Sequence, residues 1–217
     1  MTQVIIRLRS LKGMLMVDSW RERKKLELKQ ALYRKAIELF ESEGYENTTV
    51  QQISEAVGVA KGTFFNHFPS KEHVVSEWYN EITARAIRTA RAHRHDSAKA
   101  AVAALFADMS GQATASPELM IVTSRNNSTP LLLDATRHQI SQINHFLIEQ
   151  CQQGIARGEI EAETDLGFFV ALLTAVLSGT SRAWSLTPER FDFPQLISER
   201  VHFLFRAVEP VSAKSSP

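Results

Sequence analysis

Apolar residues recur at helical spacing along almost the whole chain. Leu28, Leu32, Ala36, Leu39 and Phe40 draw one stripe, which predicts a helix from about Lys24 to Glu43 with Gly44 as its C-cap. Further apolar-periodic segments follow. One starts after Thr49, one near Ala60, and one after Ser70 that runs to about Arg91. Beyond the polar break HRHDS, residues 98–111 predict a helix and Pro117 opens a short one. Residues 131–157 form a long amphipathic segment with Ile140, Ile143, Phe146, Leu147 and Cys151 on or near one face. Residues 165–186 are strongly apolar, and residues 195–208 make a last helix. The nine Gly and seven Pro fall mostly between these segments, and no sustained two-residue alternation marks a strand. The pattern predicts an all-α fold of about nine helices. RNNSTP reads as a loop, and residues 209–217 as a disordered tail.

The segment 49–71, TVQQISEAVGVAKGTFFNHFPSK, carries more information than a stripe. Thr49-x-x-Gln52 is a capping box, in which the Thr oxygen accepts from the Gln52 amide and the Gln side chain reaches back. Ile53, Ala56 and Val57 are expected inward. Gly58 ends the helix where a left-handed conformation is easy, and Val59 plugs the turn. Phe64 and Phe68, four apart, face the core and leave Lys61, Thr63, Phe65, Asn66 and His67 outside. Two short helices joined by a glycine turn make a helix-turn-helix, here over residues 49–68.

The chemistry follows from position, because a recognition helix reaches base edges with its N-terminal residues. Gly62 lets the backbone approach the groove, and Lys61 can donate to guanine or to phosphate. Gln51, outward on the preceding helix, can read an adenine, and Thr49 both caps the helix and touches phosphate. Thr63, His67 and Lys71 are spaced by four, which lines up a hydroxyl, an imidazole and an ammonium for phosphate oxygens.

Charge sharpens this reading. The chain carries a net charge of only +1, but residues 1–95 hold 16 Lys/Arg against 11 Asp/Glu and residues 96–217 hold 9 against 13. The basic front half is the one expected to meet phosphate. Residues 1–19 mix Arg7, Arg9 and Lys12 among apolar residues, which breaks up a signal-peptide core and reads as a flexible N-terminal extension, with Met14 and Met16 as alternative starts. The most apolar window, Leu166 to Leu177, is shorter than the roughly 20 residues a membrane span needs, so no membrane partner is expected. A lone cysteine, Cys151, fits a reducing compartment, hence a cytoplasmic protein that is nucleoid-associated when bound to DNA.

The back half offers less. His138, His145 and Cys151 are spread over roughly 20 Å of helix and cannot converge on one ion, so no metal site and no cofactor are expected. Phe106, Met109, Met120, Phe146 and Trp184 are candidates to line an apolar pocket, with Phe168 and Phe169 as further options; core or dimer-interface packing is the competing role for each. Asn126 and Asn127 lie in a loop that could gate such a pocket. Small residues Ala171, Ala175, Ser178 and Gly179 allow close helix approach in a dimer. No Ser-His-acid spacing, phosphate-cradling loop or metal cluster suggests an enzyme.

Residues 26–86 resemble the N-terminal domain of the tetracycline-repressor-like (TetR) regulators. The resemblance rests on Ala36, Leu39–Phe40, Gly44–Tyr45, Thr48–Thr49–Val50, Ile53, Ala56–Val57–Gly58–Val59, Lys61–Gly62–Thr63–Phe64, His67–Phe68 and Ser70–Lys71–Glu72. It implies an all-α homodimer. A three-helix DNA-binding domain is joined by the fourth helix to a larger C-terminal domain, residues 96–208, for ligand binding and dimerisation. It also implies a palindromic operator, repression, and release by a small and largely apolar effector. The last two major helices are expected to form a four-helix bundle with their copies. One departure stands out: Phe65 replaces the family's usual phosphate-contacting Tyr. A DNA-binding protein of the same fold without a small ligand, controlled by a protein partner or structural in the chromosome, is the competing reading.

Overall fold

The computed structural model describes residues 2–125 and 130–210. The expected tail beyond Pro210 and the pair Asn126 and Asn127 lie outside them. Among the described residues there are nine α-helices, one 3-10 turn and no strand. Two compact units form, residues 1–74 and 75–217.

The first unit holds α1 (Thr2–Glu43), α2 (Val50–Val57), α3 (Lys61–Phe65) and the start of α4 (Lys71–Ala92). The first helix begins at Thr2, not near Lys24, so the N-terminal stretch expected to be a flexible arm is helical. It has no proline and is rich in straight-chain Leu, Met, Arg and Lys, which lose little rotamer freedom in a helix. The apolar stripe of α1 buries Leu32, Ala36 and Phe40 completely. Phe40 meets the buried Tyr45 ring at 5.0 Å. Gly44 takes φ 88°, and Thr48 closes the turn by donating to the Gly44 carbonyl at 2.8 Å. Ile53, Phe64 and Phe68 complete this small core. Each fully buried side chain of this size contributes roughly 1.5–3 kcal/mol.

One inward assignment is corrected. Ala56 is exposed and Ser54 is fully buried in its place. The buried hydroxyl is satisfied within its own helix, donating to the Val50 carbonyl at 2.8 Å, so burial carries no unpaired polar group.

The second unit holds most of α4 and then α5 (Ala98–Ala115), α6 (Pro117–Arg125), α7 (Pro130–Ala156), α8 (Leu166–Leu186) and α9 (Phe193–Val208). Three of these starts are capped by side chains. Ser97 accepts from the Ala100 amide, Asp165 from Phe168 and Asp192 from Gln195, at 3.0–3.1 Å. The helix α5 packs chiefly on α9, while α8 packs on α6, α7 and α9. Gly154 permits one close approach: a Cβ there would sit 2.8 Å from the Ala98 Cβ. By length, 21 residues, and by a mean hydropathy of 1.5 over an 18-residue window, α8 is apolar enough to cross a membrane, which corrects the expectation of a shorter window. Its packing explains that composition: one side of α8 enters the core through Phe169, Val170, Leu173 and Leu177. The other side leaves Phe168 and Leu172 exposed beside Ala171, Ala175, Ser178 and Gly179.

Candidate nucleic-acid interface and internal cavity

The reading head is built from local geometry. The Gln52 amide donates to Thr49 Oγ1 at 3.2 Å, and the Thr49 amide donates to Gln52 Oε1 at 2.8 Å, a reciprocal capping box. Gly58 stands at φ 79°, and the Val59 amide closes the turn on the Ser54 carbonyl at 3.0 Å. The next helix, α3, is only five residues long and has no side-chain cap. It is held by Phe64, fully buried, whose ring meets Phe68 at 5.6 Å.

That anchoring leaves Lys61, Gly62, Phe65 and Asn66 exposed and Thr63 half-buried. Lys61 has no partner among the described residues. A Cβ added at Gly62 would meet nothing within 4 Å, so the fold itself does not demand glycine there. Phe65 lies edge-on to Phe64 at 5.7 Å and is 46% exposed, a large apolar ring in solvent. Gln51 is exposed and donates to Glu55 on its own helix.

Two residues sit differently from their spacing. Because α3 stops at Phe65, His67 lies in the following turn and Lys71 opens α4, so Thr63, His67 and Lys71 do not share one helix face. Lys71 turns back instead. Its ammonium donates to the Tyr45 carbonyl at 2.7 Å and the Thr48 carbonyl at 3.3 Å, and lies 4.1 Å from the Tyr45 ring centroid. It therefore ties the start of α4 to the turn before α2. His67 is half-buried. Burial, then the charges of Lys25 and Lys29, hold its imidazole below the ordinary histidine range.

In the second unit, a cavity of about 260 Å³ opens between α4, α5, α6, α7 and α8. Met109 and Met120 line it. Phe106, Phe146 and Trp184 do not; they are buried in packing, Trp184 stacked on Phe193 at 5.6 Å. The wall also holds polar groups that the apolar pattern does not single out. Gln139 donates to Thr83, Tyr79 bonds Gln139, and Thr174 donates to Asn144 at 2.6 Å. Burial pushes the Tyr79 hydroxyl up to about 12, with the Gln139 bond acting against it. Cys151 is fully buried and its thiol is likewise pushed up to about 12 by burial, which makes it inert. Gln139 was legible only as a polar residue beside Ile140 and Ile143, and nothing local marks Arg182.

A short capped helix and a left-handed glycine, followed by an exposed and uncapped second helix, define a helix-turn-helix protein of the kind that docks in a DNA groove. Residues 32–77 match the model of "Bacterial regulatory proteins, tetR family". Over that stretch the chain is similar to the family's DNA-binding region. It is 56% identical over 54 residues to the HTH-type transcriptional regulator TcmR of Streptomyces glaucescens, a stretch that covers 25% of this chain and 24% of that protein. The match thus spans about a quarter of that relative. Two solved structures share the fold over nearly the whole chain. FadR from Bacillus subtilis, in complex with stearoyl-CoA, superposes with a TM-score of 0.69 at 20% identity, covering 83% of this chain and 99% of that one. FadR from Thermus thermophilus, in complex with lauroyl-CoA, gives 0.67 at 19%, covering 87% and 98%.

Proposed function

We propose that this chain is a dimeric transcriptional repressor that binds a palindromic operator and is released by a small amphiphilic effector. The observation that carries the reading is the 49–71 head: a capped helix, a left-handed glycine and a short helix presenting Lys61, Gly62 and Thr63, within the stretch that matches the family model. In this reading Lys61 and Gln51 read bases, while Thr49, Thr63, Asn66 and His67 meet phosphate or sugar. Phe65 contributes its ring face in place of a phosphate bond. Lys71 acts chiefly by fixing the head.

The exposed apolar face of α8, with Phe203 of α9 at 72% exposure, supports dimerisation through these two helices. The cavity supports control by a ligand, and the acyl-CoA complexes of the two FadR proteins support an amphiphile. Selection of bound fragments from random DNA tests the reading. An enriched inverted repeat is expected, bound by a dimer. No enrichment at low salt would reject it.

A further inference from the structure

The cavity wall shared by α7 and α8 is graded in polarity. The bond from Thr174 to Asn144 fixes the register of these two helices, which a tight turn at Gly158 makes antiparallel. With residue 174 level with 144, Arg182 comes level with Thr136, and Leu177 lies between the levels of Ile140 and Ile143. One end of the wall is therefore Thr136, Ser181 and Arg182, the other is Ile143, and Ile140, Leu177 and Ser178 lie between them. From Thr174 to Arg182 the wall runs about 12 Å at 1.5 Å per residue.

Arg182 is the one charged side chain on this wall among the described residues. It stands exposed at the cavity's edge in the single chain, and its guanidinium has no partner among the described residues. The deeper polar groups, Tyr79, Gln139 and Thr174, already satisfy one another or neighbouring side chains. They demand no charged ligand group, whereas a guanidinium presents a planar fork of donors suited to a carboxylate.

We propose that the cavity takes a single-chain or single-ring amphiphile whose anionic head, a carboxylate, pairs with Arg182 while its apolar body lies along Ile140, Ile143 and Leu177. This rests on the reading of the cavity as an effector site. The head is then the specificity element, and a neutral analogue of the same length binds more weakly.

The test uses the full chain with decanoate and 1-decanol as probes, read by calorimetry and by release of the selected operator. Decanoate is expected to bind at least tenfold more tightly than decanol, about 1.4 kcal/mol. Arg182→Gln should remove that advantage and leave decanol binding unchanged; Arg182→Lys should retain part of it. Equal binding of acid and alcohol, decanoate affinity unchanged in Arg182→Gln, or binding of neither probe would overturn the proposal. So would a change in the chain's association state with no change in decanoate affinity, since Arg182 continues the exposed α8 stripe. The regulatory reading fails separately. If decanoate binds through Arg182 without releasing operator, the site stands and the switch does not. If decanol alone binds and releases it, the switch stands and the head assignment falls.

Discussion

Thr49 and Gln139 are both polar residues of the candidate sites, and they are held in opposite ways. Thr49 is fixed by Gln52, three residues along the chain. Gln139 is fixed by Thr83, 56 residues away. The same contrast separates the two units. In the head, a cap and a left-handed glycine orient an exposed helix of five residues, and a small set of aromatic rings holds it down. In the second unit, polar and apolar groups line a cavity whose shape depends on the relative register of long helices. A local device specifies direction with few contacts, so single changes act sharply. A register-built cavity tolerates changes at most single positions, because many side chains share the wall.

The largest expected effect is in the head. Phe64→Ala removes the fully buried ring that anchors α3. Such truncations cost about 3–5 kcal/mol, a large part of a small domain's stability. Denaturant titration should show that loss, and operator binding should vanish. Retained operator binding at the same midpoint would mean the short helix is held by something other than its ring contacts.

The matching change in the second unit is smaller and falls on a different readout. Met109→Trp fills part of the cavity. Overpacking costs about 1–3 kcal/mol, and effector binding should be lost while operator affinity stays within about twofold. If the variant loses operator binding instead, the contrast between the two units breaks.

Gly62→Ala separates fold from recognition within the head itself. The added Cβ meets nothing, and alanine is about 1 kcal/mol better than glycine in a helix. Stability should hold or rise. Operator affinity should fall about tenfold, equivalent to about 1.4 kcal/mol, because the methyl group stands where the backbone meets the groove. An unchanged affinity would show that the helix does not approach DNA through its first turn.

The contrast also explains what was legible. The capping box, Gly58 and the Phe64–Phe68 pair are signals spanning four residues or fewer, and the head follows them closely. Its misses come from partners that neither the cap nor the glycine marks. Lys71 leaves the expected face because the carbonyls of Tyr45 and Thr48 capture its ammonium across the unit, and Ser54 replaces Ala56 inside because its hydroxyl finds the Val50 carbonyl. In the second unit the helices follow from their stripes, but Tyr79, Gln139 and Arg182 become wall residues only through pairings far apart in sequence. Apolar character alone does not distinguish Met109, on the wall, from Phe106, in the core.

The smallest expected effect concerns His67, where the head departs from purely local control. Burial, then Lys25 and Lys29 of α1, keep its imidazole below the ordinary value near 6.5. In the free chain the unfolded state therefore binds the proton more readily. The contribution of His67 to stability is present above that ordinary value and is lost as pH falls from it through the lower folded value. A DNA phosphate reverses the preference, since it favours the imidazolium, so binding takes up a proton. Operator affinity should then rise as pH falls from about 8 toward 6, by less than tenfold per pH unit because one group is involved. His67→Gln should flatten that dependence while leaving affinity at pH 8 nearly unchanged. A pH profile that stays steep in the variant would assign the proton to another residue and leave His67 as a packing contact of the turn.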